Sequence, residues 1–161
     1  MLVCLRRKLM AIPAWRTYAV SLIALFTLTG CGGPAAPQVP TAAEAGETLK
    51  DHITRTLTGA QAKDVEVTDA GGKDVPCGDG KVKRTYAATG KESIGSPDSG
   101  ILTLSLIGAL DKVAEYDLTA ANASDTQQEV VNKDLHLRLV LASPARGQML
   151  VKGETECLPA K

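Results

Sequence analysis

Residues 19–29, AVSLIALFTLT, form an uninterrupted, mostly apolar run that ends two positions before Cys31 and the pair Gly32-Gly33. This run most constrains what the chain can fold into, because it decides which residues belong to the folded body. A membrane-spanning helix needs roughly 20 apolar residues, whereas the core of an export signal needs about 7–15. The run fits the second range and is too short for the first. Arg6, Arg7, Lys8 and Arg16 precede it, and no acid does. The 18 bases and 18 acids of the 161 residues therefore divide unevenly, leaving 14 bases against 18 acids in residues 31–161, a formal net charge of −4. A basic leader before a mildly acidic body is the charge pattern of export. It also argues against a nucleic-acid partner, which needs concentrated Lys and Arg. Met10 offers a second start, and Arg6-Arg7 leaves ordinary and twin-arginine export both open.

Leu28-Thr29-Gly30-Cys31 resembles the lipobox of bacterial lipoproteins, with a leucine, two small residues and a cysteine. The resemblance implies cleavage after Gly30 and a thioether from Cys31 to diacylglycerol. That acyl lipid is the one covalent group expected on the chain. Two or more acyl chains hold a protein stably at a membrane, at about 0.8 kcal/mol per buried methylene. Residues 1–30 are thus read as a removed signal peptide. Residues 31–40 are the lipidated cysteine and a Pro/Gly-rich tether, GGPAAPQVP, in extended chain. Residues 41–161 form a single extracytoplasmic domain.

The domain must be built almost without aromatic side chains. Trp15, Tyr18 and Phe26 all lie in the leader, and only Tyr86 and Tyr116 remain beyond it. Leu, Val, Ile and Ala must fill the core. Thr41 and Glu44 have capping-box spacing, Leu49, Ile53 and Leu57 make a helical stripe, and Gly59 is a stop. DVEVTD (64–69) predicts a short strand, residues 70–80 a turn-rich loop, and KVKRTYAATG (81–90) a second strand. Over 101–110 the pattern fits either a strand or a helix. Ser96 as N-cap, Pro97 and Asp98 favour a helix over 97–113. EYDLTA (115–120) reads as a strand, 121–132 as a polar loop, and KDLHLRLVLA (133–142) as a strand with Leu135, Leu137, Leu139 and Leu141 on one face. SPARG turns it back into QMLVKGETECL as a hairpin. The order α-β-β-α-β-β-β predicts an α+β fold, an antiparallel sheet of about five strands with two helices on one face.

Cys4 falls in the leader and Cys31 in the lipobox, which leaves Cys77 and Cys157. An exported compartment permits a disulfide between them, and neither PCGDG nor ECLPA has the CxxC spacing of a metal or redox pair. Closing a loop of this size contributes about 4–5 kcal/mol in the chain-entropy account. Most of residues 31–161 resembles small uncharacterised actinobacterial lipoproteins. The likeness lies in a helix after a Pro-rich tether, a loop cysteine, and a last hairpin closing on a cysteine near the C-terminus.

No catalytic constellation stands out. His52 and His136 are the only histidines, are read as surface or edge residues, and have no ligand partners in sequence, so no metal site is expected. Ser93, Ser96 and Ser99 lie in a glycine-rich loop without phosphate-cradle order, and KVKR (81–84) reads as a solvated strand face. The expected function is a binding or interaction module of the cell envelope, lipid-anchored on the extracytoplasmic face of the cell membrane. Its partners are the membrane, through the anchor, and an envelope protein or other surface component. The alternative is a carrier of a small apolar ligand or lipid. An enzyme is disfavoured.

Overall fold

The computed structural model describes residues 39–93, 95–121 and 123–160. The leader, Cys31 and most of the tether lie outside the described residues. The architecture is α+β. Helix α1 (Ala42–Gly59) is followed by strands β1 (Lys63–Asp69), β2 (Val75–Gly78), β3 (Lys81–Lys83) and β4 (Thr85–Lys91). Helix α2 (Ser99–Leu110) then precedes β5 (Asp117–Leu118), β6 (Gln127–Asn132), β7 (Leu137–Ala142), β8 (Gln148–Thr155) and β9 (Leu158–Pro159). A six-stranded antiparallel sheet has the order β1-β4-β8-β7-β6-β5, and a three-stranded sheet has the order β2-β3-β9. Both helices pack on one face of the larger sheet, α1 over β4 and β8 and α2 over β7, β8 and β6.

The start of α1 follows its sequence. The Thr41 hydroxyl accepts from the Glu44 N–H, and the Glu44 carboxylate accepts from the Thr41 N–H at 2.8 Å and its hydroxyl at 2.9 Å. Those bonds hold the Glu44 carboxyl below its ordinary pKa, the backbone N–H most of all. Ala42, Ala45, Leu49, Ile53 and Leu57 make the buried stripe. Thr56 can be buried beside them because its hydroxyl donates to the His52 carbonyl at 2.7 Å.

The core has a second requirement, at Gly153. It sits between Tyr86 of β4 and Leu139 of β7 in one cross-strand row. A Cβ there would lie 2.8 Å from Leu49 Cδ1 of α1 and 2.7 Å from the Arg138 carbonyl oxygen. The missing side chain lets α1 press Leu49 onto the sheet between two larger neighbours. Leu137, Leu139, Leu141, Met149 and Val151 complete the floor, and Leu102 and Leu106 descend onto it from α2.

Several expectations are corrected. The larger sheet has six strands, in keeping with the expected sheet of about five, but residues 127–132 form β6 rather than loop. In β6 only Val130 joins the apolar core, so the segment has no visible alternation; its pairing with the leucine-rich β7 sets its conformation. The strand expected from 133 starts at Leu137, since Lys133–His136 make a turn with His136 in the left-handed region (φ 57°). Leu135 still packs half-buried against the core. The second helix spans Ser99–Leu110, not 97–113, and its N-cap is Asp98, whose carboxylate accepts from the Ile101 N–H at 3.0 Å, in place of Ser96. The strand expected at 115–120 is reduced to Asp117–Leu118. The expected strand at 81–90 breaks into β3 and β4 around Arg84, and the turn-rich stretch before it contains β2.

The smaller sheet is held across its ends. Cys77 of β2 and Cys157, next to β9, form a disulfide with Cα atoms 6.0 Å apart. Strands of four, three and two residues cannot sustain a sheet alone. The bond fixes both outer strands around β3 and holds Leu158 in the core. Replacing both cysteines by serine is expected to lower unfolding free energy by about 2–4 kcal/mol. Amide exchange should accelerate first at residues 75–83 and 157–159, ahead of β7 and β8. Gly153→Ala should cost about 1–3 kcal/mol in urea denaturation. Gly108→Ala, at an α2 position facing open space, should be neutral or stabilise by up to about 1 kcal/mol.

Candidate functional site

The sequence of α2, SGILTLSLIGAL, has no polar face. A helix apolar all round is ordinarily buried all round. Here Leu102, Thr103, Leu106, Ala109 and Leu110 are buried, while Ile101 is 49% and Leu104 67% exposed. These two side chains and half-buried Ile107 line one wall of an open groove of about 870 Å³. The opposite wall is polar and comes from Ser124–Thr126 and Gln128, with Arg146 at the rim.

Local chemistry holds both walls. Asp98 caps α2, the Gly147 N–H donates to the Pro97 carbonyl at 3.0 Å, and the Ser143 N–H donates to the Thr126 carbonyl at 2.9 Å. The Gln128 amide donates to the Thr119 carbonyl at 2.7 Å, which fixes the segment leading into β6. Arg146 and Asp125 are exposed and form no ion pair among the described residues.

The groove lies at the end of the sheet remote from Thr41. A Cβ on Gly46, in the first turns of α1, would lie 2.8 Å from Arg84, beside the Thr85–Glu154 end of the β4–β8 pair. The helix is 18 residues long, about 27 Å along its axis, and just beyond its other end Ala62 lies against Gly90, at the Lys91–Gln148 end of the same strand pair. The β7–β8 turn and the start of α2 meet there.

The structure brings neither histidine to this groove. His52 is buried, 7% exposed, rather than at a surface or edge. Its Nδ1 lies 2.8 Å from the Tyr116 hydroxyl, with the rings edge to face. Burial holds the His52 pKa below its ordinary value, and Arg55 adds to this against Asp51. Burial raises that of Tyr116. The neutral imidazole and the neutral hydroxyl share one hydrogen bond, tying α1 to the segment after α2. His136 sits at its turn with Nδ1 2.7 Å from Glu156. Cys77 and Cys157 are joined in the smaller sheet. Of the basic cluster, Lys83 pairs with Glu154 and Arg84 with Asp74. No three His, Cys, Asp or Glu side chains converge as a metal-ligand set among the described residues. No described helix is long and apolar enough to cross a membrane.

A smaller hollow of about 440 Å³ is lined by residues of β1, β4, β6, β7 and β8. Two of its acidic groups are paired. Arg138 donates to Glu129 at 2.7 Å, and Thr85 donates to Asp69 at 2.5 Å. The Thr85 hydroxyl, helped by the Gly71 N–H, keeps the Asp69 carboxyl ionised below its ordinary range. The α2 groove is the stronger candidate because its apolar wall has no partner within the described chain.

No protein-family model and no curated protein matches the chain. Among solved structures it is similar to a DUF4853 family protein from Actinomyces odontolyticus ATCC 17982, with a TM-score of 0.44 and 10% identity over 76% of this chain and 71% of that one.

The His52–Tyr116 bond has a pH consequence. The unfolded imidazole takes up a proton near pH 6.5, whereas folded His52 resists it. The unfolded state then binds more protons, so stability falls as pH drops through about 6.5 and below. Urea midpoints measured between pH 7.5 and 5 should decline for the native chain. His52→Phe should flatten that part of the profile.

Proposed function

We propose that this chain is a lipid-anchored interaction module of the bacterial cell envelope, held at the extracytoplasmic face of the membrane through Cys31. Its contact surface is the α2 groove. The observation that carries this reading is the placement of Ile101 and Leu104 on the outward side of a helix whose other side is buried, in a groove at the far end of the domain from Thr41. The Cys77–Cys157 disulfide fits an oxidising, extracytoplasmic compartment.

A carrier would have to hold its ligand between helices and sheet. Leu49, Ile53, Leu57, Leu106, Leu139 and Met149, all fully buried, occupy that space. The open groove suits a surface that docks on another better than a closed lipid cavity.

Two measurements test the two halves of the proposal. Membrane fractionation and intact-mass analysis of the full chain should find a lipid-bearing species cut before Cys31. Cys31→Ala should abolish that mass and move the protein out of the membrane fraction. Crosslinking in the native envelope should yield adducts that Leu104→Asp removes while the protein's abundance is unchanged. Retention of the adducts would sink the groove as the contact surface.

A further inference from the structure

We infer that the occupant of the α2 groove is a second copy of this chain, paired through antiparallel α2 helices about a two-fold axis. The inference rests on the reading of the groove as a contact surface and adds what fills it.

The outer face of α2 reads Ile101, Leu104 and Gly108, and Asp111 and Lys112 follow in the turn after it, all exposed. Leu104 projects from the middle of this face, and beside it Gly108 leaves open space where a Cβ would stand. An antiparallel pair centred between them sets Leu104 of each copy over the partner's Gly108. One face thus supplies both knob and hollow, as a two-fold interface requires. The same register carries Ile101 of one copy to the level of the partner's Asp111.

Charge fits this direction of pairing. Arg146 and Asp125 flank the N-terminal end of α2, where the Asp125 carbonyl lies 3.5 Å from a Cβ built on Gly100. Asp111 and Lys112 follow its C-terminal end, both exposed. None of these four charges forms an ion pair among the described residues. Antiparallel pairing brings Arg146 towards the partner's Asp111 and Asp125 towards the partner's Lys112, and two-fold symmetry repeats both contacts. Exposed pairs of this kind contribute modestly to affinity but fix direction and register. One helix face is a small interface beside the roughly 800 Å² per partner of a standard complex. The association is therefore weak and reversible, and it is best read at membrane density.

The test uses the full chain carrying two different epitope tags, co-expressed, with a photo-crosslinking residue at position 104. Irradiation should join the two tags in a product of twice the monomer mass. Arg146→Asp and Asp111→Arg should each lower its yield roughly tenfold, because each reversal acts twice across the axis. Combined in one chain, they should restore it to near the native level. Circular dichroism and the intact disulfide verify folding of each variant. Adducts from position 104 that contain only other proteins would overturn self-pairing and leave the groove as a contact surface. No adduct of any kind would overturn both. A tag-to-tag product that the double reversal fails to restore would overturn the antiparallel arrangement.

Discussion

The rest of the structure depends on the close approach of α1 to the middle of the sheet over Gly153. Beyond the leader the chain has only two aromatic side chains, so its core must reach native density with leucine-sized groups. Such groups fill the space only if helix and sheet come close. The row Tyr86–Gly153–Leu139 permits this by setting a large, an absent and a large side chain side by side. Leu49 enters the gap. With α1 set at this depth, α2 can lie beside it, where Gly59 of α1 meets Ala109 of α2. Both inter-helix and helix–sheet contacts therefore rest on glycines where a Cβ would crowd its neighbours.

Where sequence reasoning succeeded, the determinant was local. The Thr41–Glu44 box lies within four residues, and the alternation of Leu137, Leu139 and Leu141 declares a half-buried strand without help from elsewhere. It failed where conformation is set by a distant partner. β6 carries QQEVVN, and Arg138, across the β6–β7 pair, supplies its buried Glu129 with a counter-charge at 2.7 Å. Read alone, the segment is polar. His52 was misjudged for the same reason. Its burial depends on Tyr116, 64 positions away, for a hydrogen-bond partner. The break at Arg84 is likewise tertiary, since its N–H donates to Thr155 Oγ1 instead of continuing a strand ladder.

The candidate groove was the least legible feature. As a strand, Leu102, Leu104 and Leu106 would share one face; only as a helix is the middle one turned away from the other two. The available signal was negative. A 12-residue amphipathic surface helix should show a polar stripe, and SGILTLSLIGAL has none. Such a segment is ambiguous between strand and helix for the same reason that it is useful. It carries apolar groups on the side that folds and on the side that does not.

Folding stability gives no reason for leucine at 104. The residue is two-thirds exposed, and lysine or glutamate has nearly the same helix propensity. Either would add solubility and remove an apolar patch at no cost to the core. Gly108 makes the same point from the other direction. With open space around its Cβ position, alanine would fit and would strengthen the helix. An exposed leucine beside an unneeded glycine is thus a departure from what the monomer's packing favours at two adjacent outward positions. Charges that form no ion pair among the described residues, Arg146 and Asp125 at one end and Asp111 and Lys112 at the other, stand at both ends of the same face. Departures of this kind at neighbouring outward positions of α2 fit the proposed reading of that surface as one set by contact with something outside the fold.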